Sequence, residues 1–238
     1  RNGGALRWVV GSIWAGSASG GVLFEYECDY GGVVMIRVAV AKGYLLGKTA
    51  EIFAQLGVQF AEPITETRQL QITDTSGRYT FILVRPWDVP VFVANGAADI
   101  GVVGEDVLAE QQPNVARLLD LRFGDCQLVL AGLHPSDAVK PYSRVATKYP
   151  RLTEAYFQTK HCPVSVLKLY GSIESAPVTG LAEYIVDLTA TGATLKANGL
   201  HCLDTLLEST ALLIANPVRL RFLHSDIDAL VARISPLL

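Results

Sequence analysis

The segment Tyr184-Ile185-Val186-Asp187-Leu188-Thr189-Ala190-Thr191-Gly192-Ala193-Thr194-Leu195-Lys196-Ala197-Asn198-Gly199-Leu200 carries the densest chemistry in the chain. A β-branched run delivers an acid, a Thr-Gly-x-Thr turn follows, and a helical start comes next. The first N–H groups of a helix lack intrahelical partners and lie at the positive end of its dipole, so an anion is favoured there. Gly192 lets the backbone approach that anion closely, and Thr191 and Thr194 add hydroxyl donors. Asp187, ending the strand, is placed to accept hydrogen bonds from sugar hydroxyls while Ala190, Thr191, Gly192, Ala193 and Thr194 hold a phosphate. Together these features describe a ribose 5-phosphate cradle. The same residues also suit an ordinary strand-to-helix connection in which Thr and Gly serve only turn geometry. Neither a G-x-x-x-x-G-K-[ST] loop nor a G-x-G-x-x-G turn after a strand occurs, which disfavours P-loop hydrolysis and dinucleotide chemistry.

Other candidate residues stand at strand ends or in loops, where α/β folds collect ligand contacts. Lys42 follows the first strand-like run, Arg68 lies in the polar segment after Glu66, and Glu174 follows Gly171-Ser172. Each also suits a solvated surface charge; Lys42 and Glu174 lean towards the site, whereas Arg85, before Pro86, reads as a charge beside a turn. Cys28, Cys126, Cys162 and Cys202 are far apart and form no C-x-x-C pair, so neither a zinc knuckle nor a disulfide scaffold is written here. Free thiols in a reducing compartment fit best. The dipeptides His161-Cys162 and His201-Cys202 are not expected to meet as four metal ligands, because neighbours on a strand point to opposite faces.

The elements that must position these residues read as α/β. Ile36–Ala41 is a β-rich run, and Leu45, Thr49, Ile52, Phe53 and Leu56 then recur at helical spacing before Gly57. Strand signals return at Tyr79–Val84, Ile100–Val103, Gln127–Ala131, Arg144–Thr147 and Val164–Leu169, separated by helix-length segments. Asp88 is expected to cap a helix ending near Gly96, and Ser225 with Asp228 to cap the C-terminal helix carrying Ile227, Leu230, Val231 and Ile234. Strand-like segments near Cys126–Ala131 and Ala211–Ala215 are candidates for crossing between lobes. Half of the 238 residues are hydrophobic and 18% are charged, a balance suited to a packed globule. The net charge of −3 carries no basic excess for nucleic acid or an anionic membrane, and no apolar run reaches the length of a bilayer span. The only methionine, Met35, directly precedes the first patterned strand, so residues 1–34 are expected to be a leader or a non-native extension.

From Met35 to about Arg219 the chain resembles the ATP phosphoribosyltransferase family. The resemblance rests on Val38-Ala39-Val40-Ala41-Lys42-Gly43, Arg85-Pro86-Trp87-Asp88-Val89-Pro90, and Ala98-Asp99-Ile100-Gly101-Val102-Val103-Gly104-Glu105-Asp106. It continues through Asp120-Leu121-Arg122-Phe123-Gly124, Arg144-Val145-Ala146-Thr147-Lys148-Tyr149-Pro150, Gly171-Ser172-Ile173-Glu174 and the Asp187–Leu200 segment. Tyr44 stands where the family usually has Arg.

The resemblance implies an α/β, two-lobed fold like that of periplasmic binding proteins, with the substrate cleft between lobes. Residues 35–124 and 204–238 would form lobe one, and residues 125–203 lobe two. Phosphoribosyl pyrophosphate would sit on the Asp187–Thr194 loop and ATP within reach of Lys42, Arg68 and Glu174, with Mg²⁺ carried on the pyrophosphate. The implied reaction joins adenine N1 of ATP to the sugar and releases pyrophosphate, the first step of histidine biosynthesis, in the cytoplasm. Few residues follow Asn216-Pro217, which is similar to the short form of the family. That form works with a regulatory subunit resembling histidyl-tRNA synthetase, and self-association is also implied. A rival reading is a non-catalytic two-lobed receptor for an anion, because fold alone does not separate the two. Phosphoribosyltransferases of the other common fold place two adjacent acids before their Thr-Gly turn, whereas Leu188 follows Asp187 here.

Overall fold

The computed structural model describes residues 34–136 and 138–238. β1 (Ile36–Ala41) is buried at every position except Arg37, because it lies inside a sheet covered on both faces. The chain turns through Gly43 into α1 (Tyr44–Gln55), which buries Leu46, Thr49, Ile52 and Phe53 on one face at helical spacing. β2 (Gln71–Thr73) and β3 (Tyr79–Val84) follow, then a 3-10 turn at Pro86–Asp88, α2 (Val89–Ala94), β4 (Ile100–Gly104), α3 (Glu105–Gln111) and β5 (Ala116–Asp120). A second set begins with β6 (Cys126–Gly132), β7 (Arg144–Thr147), α4 (Pro150–Thr159) and β8 (Ser165–Lys168). It continues with α5 (Ser175–Val178), β9 (Tyr184–Thr189), α6 (Ala193–Ala197) and β10 (His201–Ser209). The chain ends with β11 (Ala211–Ala215), α7 (Pro217–Phe222) and α8 (His224–Ile234).

Two sheets result, with strand orders β2-β3-β1-β4-β11-β5 and β10-β6-β9-β7-β8. We call each sheet with its helices a lobe. In the first, β1 runs parallel to β3 and β4, and β11 runs antiparallel to β4 and β5. In the second, β9 runs parallel to β7 and antiparallel to β6. Phe53, Phe81, Ile227, Leu230 and Ile234 belong to one buried cluster of the first lobe, and Val89, Val93, Val103 and Val107 to another. The second lobe has one cluster around Phe157, Tyr149 and Val186 and another around Ile173, Ala176, Leu195 and Leu200. That last cluster anchors α6 through Leu195.

The chain passes between the sheets twice, and the two passages are bonded to each other. The Leu121 N–H donates to the Ala211 carbonyl at 2.9 Å, and the Ala211 N–H donates to the Phe123 carbonyl at 2.9 Å. The expected return to the first lobe at residue 204 lies too early. β10 remains paired with β6 as far as Ser209 opposite Cys126, so the crossing falls at Thr210. Two helix starts also differ from expectation. Asp88 precedes α2 but makes no side-chain capping bond, since the Pro86–Asp88 turn already leads into the helix. α8 starts at His224 after Leu223, which places Ser225 inside its first turn rather than at a cap. The expected extension lies outside the described residues apart from Val34. Among the described residues no helix is long and apolar enough to cross a membrane.

Candidate active site

Asp187 lies in β9 opposite Val129 of β6 and is half-buried near the end of the strand. Its Oδ1 accepts the Leu188 N–H at 2.9 Å. Burial pushes this carboxyl up to about 6; the Leu188 bond works against that rise, the charge of Glu174 adds to it, and Lys148 opposes it. Glu174, which immediately precedes α5, and Asp187 thus act on each other electrostatically.

The turn after β9 is built from its own side chains. The Thr189 Oγ1 accepts the Gly192 N–H at 2.8 Å, and the Thr191 Oγ1 accepts the Ala193 N–H at 3.4 Å, a length that a stronger acceptor displaces readily. Gly192 opens α6 at φ +71°, so glycine is required here by the left-handed backbone. A Cβ at Gly192 would meet nothing within 4 Å, which leaves open space before the turn. Ala190, Thr191, Ala193 and Thr194 are exposed around it.

Lys42 and Arg68 belong to the first lobe. The Lys42 N–H donates to the Val84 carbonyl at 3.2 Å, and its residue lines a 120 Å³ cavity with Gly43, Leu46, Ile64, Thr65, Thr67 and Leu83. Arg68 is exposed beside Thr67. The structure therefore sets Glu174 and Asp187 with the Ala190–Thr194 turn in the second lobe, and Lys42 with Thr65 and Thr67 in the first, while Arg68 does not line the Lys42 cavity. Among the described residues no hydrogen bond or ion pair joins the two groups.

Between the lobes is a 260 Å³ cavity that sequence reasoning did not assign, bordered by Tyr44, Trp87, Asp106, Lys148, Tyr149 and Ser209 among others. Lys148 Nζ stands 5.1 Å from the Trp87 ring centroid, and the Trp87 and Tyr149 rings are 5.3 Å apart. The buried Asp106 carboxylate accepts the Tyr149 hydroxyl at 2.8 Å and the Ser209 hydroxyl at 2.9 Å, tying the second lobe and its crossing strand to the start of α3. Burial first, and then the Asp106 charge, push the Tyr149 phenol well above its usual value. A Cβ on Gly104 would overlap Asp106 Oδ1, so glycine there makes room for the carboxylate. Nearby, Glu110 of α3 accepts the Arg151 and Leu152 N–H groups at 2.9 Å each, capping α4 across the lobe boundary. The available signal was local: Trp87, Asp106, Lys148 and Tyr149 all lie in segments marked by the family resemblance, yet spacing assigns them no mutual contact.

Among the described residues no group of three His, Cys, Asp or Glu side chains is placed to hold a metal. Glu174 and Asp187 are a pair of acids, a donor set that suits Mg²⁺ brought in on phosphate oxygens. Cys126, Cys162 and Cys202 are free thiols.

Comparison with known proteins matches this architecture to one family. A family model described as ATP phosphoribosyltransferase matches residues 85–236. The ATP phosphoribosyltransferase of Trichormus variabilis is 45% identical over 206 residues, covering 84% of this chain and 94% of that protein. The solved ATP phosphoribosyl transferase (HisG:HisZ) complex from Thermotoga maritima includes a chain with a TM-score of 0.75 and 31% identity, covering 85% of this chain and 98% of that one. The alkanesulfonate-binding protein SsuA from Xanthomonas axonopodis pv. citri superposes with a TM-score of 0.54 at 11% identity over 84% of this chain and 72% of that one, which places the fold among two-lobed binding proteins. On these matches, the chain belongs to the ATP phosphoribosyltransferase family.

Proposed function

We propose that this chain catalyses transfer of the phosphoribosyl group from phosphoribosyl pyrophosphate to N1 of ATP at the boundary of its two lobes, releasing pyrophosphate in the first step of histidine biosynthesis. The observation that carries the residue assignment is the pairing of a half-buried carboxylate, Asp187, with the left-handed Gly192 turn directly after it. Asp187 accepts the ribose hydroxyls, and Ala190, Thr191, Gly192, Ala193 and Thr194 enclose the 5-phosphate. Lys42 and Arg68 meet the ATP phosphates from the first lobe.

The N1 lone pair attacks C1 of the sugar, the C1–O bond breaks, and its electron pair leaves with pyrophosphate. When bound, Mg²⁺ brought in on the pyrophosphate would supply positive charge to neutralise the departing group. As positive charge grows on the ring, the acids Glu174 and Asp187 stabilise it from fixed positions. No enzyme nucleophile is needed, so juxtaposing two anionic substrates across the lobes supplies much of the acceleration. The Thermotoga maritima relative occurs in a complex with a second protein, and we extend this to a regulatory subunit resembling histidyl-tRNA synthetase for the present chain, alongside self-association. ATP supply and free thiols suit a cytoplasmic site.

The test mixes the chain with ATP, phosphoribosyl pyrophosphate and Mg²⁺, with and without that subunit, and follows product absorbance. Wild type is expected to form product in at least one mixture and Asp187→Asn to lose donor binding by calorimetry. Donor binding unchanged in Asp187→Asn would remove the assigned cradle.

A further inference from the structure

The short helix α3 belongs to the first lobe, and the second lobe holds it at both ends. At its start the Asp106 N–H donates to the Ser209 Oγ at 3.0 Å, and the Asp106 carboxylate accepts the Ser209 and Tyr149 hydroxyls. At its end two helices exchange their termini. The buried Glu110 carboxylate accepts the Arg151 and Leu152 N–H groups that open α4, at 2.9 Å each. The Arg151 side chain returns to close α3, its Nε donating to the Glu110 carbonyl at 2.9 Å and its Nη2 to the Ala109 carbonyl. These are the N–H and C=O groups that helix ends leave without internal partners. Asp106 and Glu110 have i, i+4 spacing, so they share one face of α3, turned toward the single segment 149–152.

We propose that this exchange of helix ends fixes the angle between the lobes, making Glu110 and Arg151 positioning residues that hold the two halves of the active site at reacting distance. The proposal rests on the phosphoribosyl-transfer reading given above. The linkage runs through one strand pairing on either side. α3 continues directly from β4, whose Val102 pairs with Val40 of β1, shortly before Lys42. α4 follows β7, whose Thr147 pairs with Val186 of β9, next to Asp187; the Thr147 hydroxyl also donates to the Val186 carbonyl at 2.7 Å. The crossing at Leu121, Phe123 and Ala211 is a pair of bonded passages, the geometry of a hinge. Asp106, bonded to Ser209 beside that crossing, lies close to the hinge line, whereas Glu110 stands about 6 Å farther along α3 and resists turning with greater leverage. A misplacement of about 1 Å between reacting groups can cost about a hundredfold in rate, so a fixed lobe angle acts on turnover rather than on the affinity of either half-site.

The test measures steady-state turnover, donor Kd by calorimetry and amide hydrogen exchange in wild type, Arg151→Ala, Glu110→Gln and the double variant. The full chain is used, with the regulatory subunit wherever wild type needs it for turnover. Arg151→Ala is expected to lower kcat at least about tenfold while KM for each substrate and donor Kd stay within about twofold. Glu110→Gln, which keeps the shape of the side chain, is expected to lower kcat about threefold and serves where Arg151→Ala unfolds. The double variant falls less than the product of the single losses, since either change opens the same exchange of helix ends. Exchange at the Leu121 and Ala211 amides, which bond across the crossing, quickens about tenfold in the folded variants, while amides of β1 and β9 keep their protection. A pair that only stabilised the fold would lower the unfolding midpoint and leave kcat of the folded enzyme unchanged. A kcat within about twofold of wild type in the folded Ala or Gln variant, strictly multiplicative losses, or unchanged exchange at both crossing amides overturns the inference. A folded wild type that forms no product in any mixture overturns instead the proposed activity, and exchange at the crossing then decides the clasp alone, so the two failures are distinguishable.

Discussion

Replacing Tyr149 by Phe removes one hydroxyl and keeps the ring, so its effect isolates a single bond across the lobe boundary. That hydroxyl donates 2.8 Å to a carboxylate, Asp106, which is 4% exposed. Hydrogen bonds to charged groups contribute about 1.5–3 kcal/mol, and the loss here also leaves one Asp106 oxygen without its phenol donor. A cost of about 2 kcal/mol is expected, equivalent to a fall of about 4–8 °C in melting temperature for a chain of this size. The variant also changes alkaline behaviour. The folded phenol keeps its proton above the ordinary value of 10.0, whereas the unfolded one releases it. Stability supplied by Tyr149 is therefore complete below about pH 10 and declines as pH rises beyond it, because the unfolded chain then binds fewer protons. Tyr149→Phe should lose that part of the alkaline decline. Urea unfolding at pH 7.5 and pH 10.5 measures both effects. Gly104→Ala provides an independent route to the same carboxylate, since the new methyl overlaps Asp106 Oδ1. The two substitutions together should cost at least about 1 kcal/mol less than their sum. A Tyr149→Phe cost below about 0.5 kcal/mol, or strict additivity with Gly104→Ala, would refute the idea that one carboxylate clasps the lobes.

Glu110→Ala should cost about 1–2 kcal/mol in urea unfolding, because α4 loses the carboxylate that caps two of its first N–H groups from the other lobe. Gly192→Val forces a β-branched residue to φ +71° and should lower donor affinity in calorimetry while circular dichroism retains the α/β spectrum. Lys42→Ala should lower turnover with ATP in the absorbance assay and leave donor Kd within about twofold, as Lys42 lies in the other lobe from the Asp187 turn.

What the sequence reveals follows from where burial is uniform. β1, β3 and β7 lie inside their sheets, and their mostly buried runs, rich in β-branched and small residues, have bounds that match Ile36–Ala41, Tyr79–Val84 and Arg144–Thr147 residue for residue. β10 is different. It lies at a sheet edge, and its register against β6 shifts between Cys202 and Asp204 and again between Thr205 and Leu207, so no period of two survives in His201–Ser209. The boundary at residue 204, which the resemblance implies, therefore had no strand pattern in the sequence to check it against. The Asp187–Gly192 turn is legible because one local segment carries both the strand end and the positive-φ glycine. The contacts of Asp106 with Tyr149 and of Trp87 with Lys148 join residues of different lobes, and no local pattern specifies such pairs.

Raising a carboxyl by burial has a stability consequence that separates the binding role of Asp187 from a structural one. In the folded chain it titrates near 6, above its ordinary 3.8, so between those values the folded state holds a proton that the unfolded state has released. Stability supplied by this group is thus greatest below about pH 4 and is lost as pH rises through about 6. At pH 7.5 the ionised, half-buried Asp187 costs the unliganded fold up to about 3 kcal/mol, the free-energy equivalent of that displacement. Asp187→Asn should relieve much of this cost, raising the melting temperature by several degrees at pH 7.5 and changing it little at pH 4, while donor binding falls. A structural aspartate would behave oppositely, its removal lowering stability at neutral pH. Melting curves of the two proteins at both pH values distinguish these outcomes, and a destabilised Asp187→Asn at pH 7.5 would refute the assignment of Asp187 as a carboxylate held in readiness for ligand.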